Sequence, residues 1–142
     1  ARLCCTRCRR VANLGDQLKA FAEKTKADME TVVRKTAFSL GESMVVMSPV
    51  DTGRFRGNWQ YGADAINTST GGADDKSGRT ALNRIQAGIR GWKPGQTIWI
   101  TNSLVYGPRL EAGWSKQSPS GMVRVSVANY QQYIADAIAS VK

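Results

Sequence analysis

One row of side chains constrains the fold of this chain more than any other feature. Leu14, Leu18, Phe21, Thr25, Met29, Val32, Thr36, Leu40, Met44 and Met47 follow one another at steps of three and four. That spacing marks one face of an α-helix. Asn13 suits the N-cap, and Asp16 places a carboxylate in the first turn, where the helix dipole favours it. Ser48-Pro49 ends the row, because a residue before proline is pushed out of helical geometry. The spacing therefore predicts a helix of about 50 Å, with a break near Thr25–Lys26 as the alternative. So long an element leaves the rest of a 142-residue chain to pack against it as one domain.

After the helix, Val50-Asp51-Thr52-Gly53 reads as a turn. Phe55, Gly57, Trp59 and Tyr61 share one parity, which predicts a half-buried strand over Arg54–Tyr61. Residues 62–78 are rich in Gly, Ser, Thr, Asp and Asn and read as a long mobile loop. Ser77 is placed to cap a helix from about Gly78 to Arg90, with Leu82, Ile85 and Ile89 on one face. Thr97–Asn102 has strand composition. A short helix or turn is expected around Val105–Ala112, ending at Gly113. The last segment has two readings. Val123, Val127, Tyr130, Ile134, Ile138 and Val141 keep a helical step, which favours one helix from about Pro119 to Val141. Val123, Val125 and Val127 alternate, so a strand over Met122–Val127 is the alternative. The expected class is α+β, with a long N-terminal helix and a C-terminal helix on a small antiparallel sheet.

The charge is uneven. Residues 1–35 hold nine basic and four acidic side chains, a net of +5. Residues 36–80 hold four and five, a net of −1, and residues 81–142 hold seven and two, a net of +5. Two basic ends around a neutral middle suit a polyanion or an acidic protein surface. Residues 1–12 read as a basic tail. Its Cys4, Cys5 and Cys8 are too few and too close for a disulfide framework. Cys5-x-x-Cys8 has half the spacing of a zinc knuckle, without a second pair or a histidine, so reduced thiols are expected rather than a metal site. No apolar core of ~7–15 residues follows the basic start, so no secretory signal is expected there. No apolar run reaches the ~18–20 residues of a membrane span.

The sequence contains no histidine, which removes His-based hydrolase triads and His-ligated metals within one chain. There is no phosphate-loop motif, and Asp51, Glu111 and Asp136 mark no catalytic pair. No catalytic residue, cofactor or metal is expected.

Three polar-aromatic clusters remain: Ser48-Pro49-Val50-Asp51-Thr52-Gly53-Arg54-Phe55-Arg56-Gly57-Asn58-Trp59, Thr101-Asn102-Ser103-Leu104-Val105-Tyr106-Gly107, and Leu110-Glu111-Ala112-Gly113-Trp114-Ser115 with Gln117-Ser118-Pro119-Ser120-Gly121-Met122-Val123. In this order, behind a long helix, they resemble the tail-completion or neck proteins of tailed bacteriophages, the small head–tail joining or gp10-like minor tail proteins. The resemblance covers about residues 13–142. Residues 1–12 have no counterpart in it, and Val105 and Gly107 stand where Pro and Ala are common.

The resemblance implies a structural virion protein that is not an enzyme. Such proteins assemble, after synthesis in the host cytoplasm, as a ring of six-fold or twelve-fold symmetry. The ring sits between a head connector or head-closure protein and a tail terminator or tail tube, and genomic DNA passes through it without sequence preference. No membrane is involved. A tail terminator or head-closure protein of the same neck is one alternative, and a basic nucleic-acid-binding module is another. Ring contacts need two complementary surfaces. Arg54, Arg56, Glu111 and Trp114 are the candidate interface residues, with Arg54 and Arg56 expected outward from their strand and Glu111 outward after Leu110. Arg2, Arg7, Arg9 and Arg10 are the candidates for a DNA channel or a partner contact.

Overall fold

A computed structural model of the protein describes residues 14–141. Helix α1 (Leu14–Met47) is a single run of 34 residues, about 51 Å long. The possible break at Thr25 does not occur. The Thr25 and Thr31 hydroxyls donate to the carbonyls of Phe21 and Ala27, each at 2.9 Å, and so are satisfied inside the helix. The helix stops where expected. The Ser48 hydroxyl donates to Met44 O at 2.7 Å, and Pro49 follows.

The chain then turns at Gly53, whose φ of 92° is costly for any residue with a Cβ. The strand expected over Arg54–Tyr61 is not formed. Its first half is the helical turn α2 (Arg54–Gly57), and only β1 (Gln60–Ala63) is extended. Gly57 N–H donates to Gly53 O at 2.9 Å, which closes the turn. Phe55 and Trp59, four residues apart, are both buried and meet edge to face with ring centroids 6.0 Å apart. The same pair satisfies alternation and helical spacing, and the helical solution buries both rings.

Strand β1 pairs antiparallel with β2 (Ile98–Thr101), Gln60 opposite Thr101 and Ala63 opposite Ile98. Between them α3 (Arg79–Gly91) crosses back over α1. Tyr61 lies so close over Gly88 that a Cβ there would collide with its ring. Helix α4 (Gly107–Glu111) ends at Gly113, φ 87°. The single C-terminal helix, and its strand alternative, give way to α5 (Val123–Ala128) and α6 (Tyr130–Ala139), separated at Asn129. The start moves from Pro119 to Val123 because Gly121 adopts φ 80°. The architecture is α+β: one long helix and a C-terminal helical pair around a two-stranded antiparallel sheet.

Met44, Val45, Phe55, Trp59, Ala81, Ile85, Ile89, Leu104 and Met122 form the core. It sits against the C-terminal half of α1. Two apolar rows lie outside it. Leu14, Leu18, Phe21 and Met29 of α1 are exposed, as are Val123, Val127, Tyr130 and Ile138 of α5 and α6.

Candidate functional site

The three polar-aromatic clusters are far apart in sequence and meet in space. Asn102 joins the first two: its amide donates to Phe55 O at 2.8 Å, and its oxygen accepts from Asn58 Nδ2 at 3.0 Å. Trp59 Nε1 donates to Ser48 Oγ at 2.8 Å, which fixes the ring to the end of α1. Gln117 joins the third cluster to the first. Its Oε1 accepts from Val50 N at 2.9 Å while its Nε2 donates to Val50 O at 3.0 Å, pairing with that peptide as a neighbouring strand would. Tyr106 packs on Phe55 at 5.9 Å. A shallow cleft of about 260 Å³ remains between Asp51, Thr52, Arg54, Tyr106 and Gln117.

Arg56 and Glu111 do not project outward as the sequence suggested. Arg56 turns back on α1. Its Nη2 donates to Val46 O and Ser48 O, both at 2.8 Å, and its Nη1 donates to Lys76 O at 3.0 Å. The last turn of α1 holds no basic residue, so this guanidinium supplies the positive charge that its free carbonyls favour. Glu111 reaches the start of α5. Its carboxylate accepts from the N–H groups of Met122 (2.9 Å), Val123 (3.0 Å) and Arg124 (2.9 Å). Partial burial pushes its pKa up, but the bonds from Arg124, Met122 and Val123 outweigh burial and leave it below the ordinary value. Its hydrogen-bond partners are thus backbone amides.

Arg54 and Trp114 do lie outward. Arg54 is exposed beside the cleft, its N–H held by Thr52 Oγ1 at 3.2 Å. Trp114 is 73% exposed, with the Arg109 guanidinium 5.2 Å from its ring centroid. An exposed tryptophan stacked with arginine is the side-chain chemistry that anchors protein interfaces. Arg2, Arg7, Arg9, Arg10 and the three cysteines lie outside the described residues. So does Asn13.

The sequence reading overlooked Asp75 and Arg84. Asp75 joins Ser77 at the start of α3: its carboxylate accepts from Ser77 N, Gly78 N and, at 2.7 Å, Thr80 N, while Ser77 Oγ accepts from Arg79 N at 3.2 Å. The Ser77 hydroxyl and the Thr80 amide hold that carboxyl well below the usual range. The Asp75-x-Ser77 spacing carried the signal, since Asp bonds amides two and three residues on. Arg84 donates to Trp59 O at 2.6 Å, tying α3 to the first cluster. The loop after β1 is mostly exposed but fastened. Thr101 Oγ1 donates to Asn67 O at 2.6 Å, and Asp75 N to Gly53 O at 3.2 Å.

Among the described residues no cluster of metal-ligating side chains occurs. The clusters instead build a rigid body from segments separated by up to 67 residues. A family model described as "Bacteriophage HK97-gp10, putative tail-component" matches residues 12–94, more than half of the chain, from α1 through α3. The chain belongs to this family. It is a structural component of a phage tail, and its place is the virion. The match contains the first cluster whole and stops before the other two, which the tail component nonetheless binds to it through Asn102 and Gln117. No curated protein and no solved structure matches the chain. No helix among the described residues is long and apolar enough to cross a membrane.

Proposed function

We propose that this tail component completes the phage neck. It assembles as a ring, six-fold or twelve-fold, between the head connector or head-closure protein and the tail terminator or tube. The function is assembly rather than catalysis. One observation carries the reading beyond the family: a chain with a well-bonded core leaves two long apolar helical rows open to water. Exposed apolar area on that scale marks an interaction surface. Arg54 at the cleft and the exposed Trp114 are the proposed contacts, while Arg56 and Glu111 hold the surrounding backbone in place. The basic residues Arg2, Arg7, Arg9 and Arg10 are proposed to face DNA or a neighbouring protein, without base recognition.

The test is in vitro complementation. Particles made without this protein are expected to accumulate as filled heads and separate tails, and adding the purified protein should join them. Tails of abnormal length would point to a tail terminator, and heads that leak DNA to a head-closure protein. Tight DNA binding that falls steeply with salt, with normal joining in its absence, would favour the nucleic-acid module.

A further inference from the structure

The face of α1 that carries the apolar row, taken through Ser43 beside Met44, has an eleven-residue period. Leu14, Leu18 and Phe21 are followed by Thr25, Met29 and Val32, then Thr36, Leu40 and Ser43, then Met47. Eleven residues in three turns is about 3.67 per turn, so the row stays nearly on one line of the helix. Its C-terminal half is covered within the chain. Ser43 Oγ accepts from Ser126 Oγ at 2.9 Å and from the Tyr133 hydroxyl at 3.0 Å, which holds α5 and α6 along it. Helix α6 runs antiparallel to α1, with Ser140 bonded to Lys35, and ends beside Met29. An open apolar groove of about 620 Å³ lies there between Met29, Val32, Val33, Ile138 and Val141. On the other flank a second groove of about 510 Å³ is lined by Phe21, Met29, Val33, Trp92 and Pro94. Beyond the end of α6 the row continues uncovered, with Phe21 68% and Met29 65% exposed.

The outer row of α5 and α6 is the second unfilled surface. Val127 is 54% and Tyr130 43% exposed. Leu14, Leu18, Phe21 and Met29 follow steps of four, three and eight, and so do Val123, Val127, Tyr130 and Ile138, although the second row bends at Asn129 and ends beside Met29 of its own α1. Ordinary side-chain areas give roughly 600 Å² open on the α1 row and roughly 350 Å² on the outer row. Together they approach the apolar share, about 57%, of a standard interface of about 1,600 Å².

We propose that the N-terminal half of α1 in one copy lies along the outer α5–α6 row of the next copy. The inference rests on the ring reading and names its contact. The occupant is a second copy for three reasons. The two rows share the same residue steps. Their combined area meets what one junction needs. Within the chain the inner side of α5 and α6 already covers the C-terminal half of the same α1 row, so the row accepts helices of this chain. Because the two surfaces differ, the contact is head-to-tail, the kind that closes a ring when the rotation between copies divides a full turn.

The experiment uses Phe21→Glu and Tyr130→Glu in the full chain, under reducing conditions, with mass photometry as the readout. Both side chains are exposed, so circular dichroism should show native folding. Leu18→Glu and Val127→Glu serve as second variants if either first one misfolds. Each variant alone should be monomeric. Mixed in equal amounts, they should form a heterodimer and stop, because only one intact arm meets one intact row. If Tyr130→Glu assembles like wild type while Phe21→Glu does not, arm-on-arm pairing replaces the proposal. If the mixture stays monomeric, the rows serve another protein and the proposal fails. If both variants assemble normally, the contact lies elsewhere and the ring reading stands. A wild-type chain that remains monomeric at its solubility limit removes both.

Discussion

Replacing Glu111 by alanine removes a cap that comes from outside its helix. Three N–H groups at the start of α5 lose their acceptor. They do not lose it equally. Val123 and Arg124 are exposed, so water replaces the carboxylate at little cost. Met122 is 1% exposed, and its N–H is left without a partner. An unsatisfied buried donor costs about 1–3 kcal/mol, and losing a helix cap typically costs ~1 kcal/mol. Glu111→Ala should therefore destabilise the fold by about 2–3 kcal/mol, a fall of roughly 8 °C in Tm for a chain this size. Glu111→Gln keeps one acceptor oxygen and should lose about 1 kcal/mol. Urea unfolding followed by circular dichroism at several protein concentrations measures both and separates them from association. The pH dependence gives a second reading. Because folding lowers the Glu111 pKa, its contribution is fully present above the unfolded value of about 4.3. It is lost as pH falls through the lower folded value, and the glutamine variant should lack that component. An alanine variant within ~0.5 kcal/mol of wild type at pH 7 would refute the capping argument.

Asp75→Ala should cost about 1 kcal/mol by uncapping α3, with protection of the Thr80 amide from hydrogen exchange lost first. Its pKa is also lowered by folding, so the difference from wild type should persist at neutral pH and shrink only as pH falls below about 3.9. Arg56→Ala should cost about 2 kcal/mol in urea unfolding, and Arg56→Lys should recover little, because one ammonium cannot reach Val46, Ser48 and Lys76 carbonyls together. A four-residue Gly-Ser insertion at Thr70–Gly71 should cost less than ~1 kcal/mol, since a Cβ on Gly71 would meet nothing within 4 Å. A larger loss would make that segment part of the packed structure.

The long helix was legible because ten positions kept one spacing and a proline closed it. Strand β2 was legible because Ile98, Trp99 and Ile100 leave few alternatives. The segment from Arg54 to Tyr61 was not, since Phe55 and Trp59 fit either period and only the Gly53–Gly57 bond decides between them. The roles of Arg56 and Glu111 were hidden for a different reason. They cap helix ends eight to thirteen residues away, and no local motif encodes a cap at that distance. Alternation placed Arg56 outward on a strand that does not form. The helical step from Val123 to Ile138 was read from the sequence, but periodicity fixes spacing and not which side finds a partner. That side faces outward because Met122, Ser126 and Ala137 fill the inner one.

Electron cryomicroscopy of intact virions tests the central claim most directly. The predicted result is a closed ring of this chain at the head–tail junction, coaxial with the tail, with α1 of each copy against α5 and α6 of its neighbour. Finding the chain at the distal end of the tail, or as isolated copies without a ring, would contradict it.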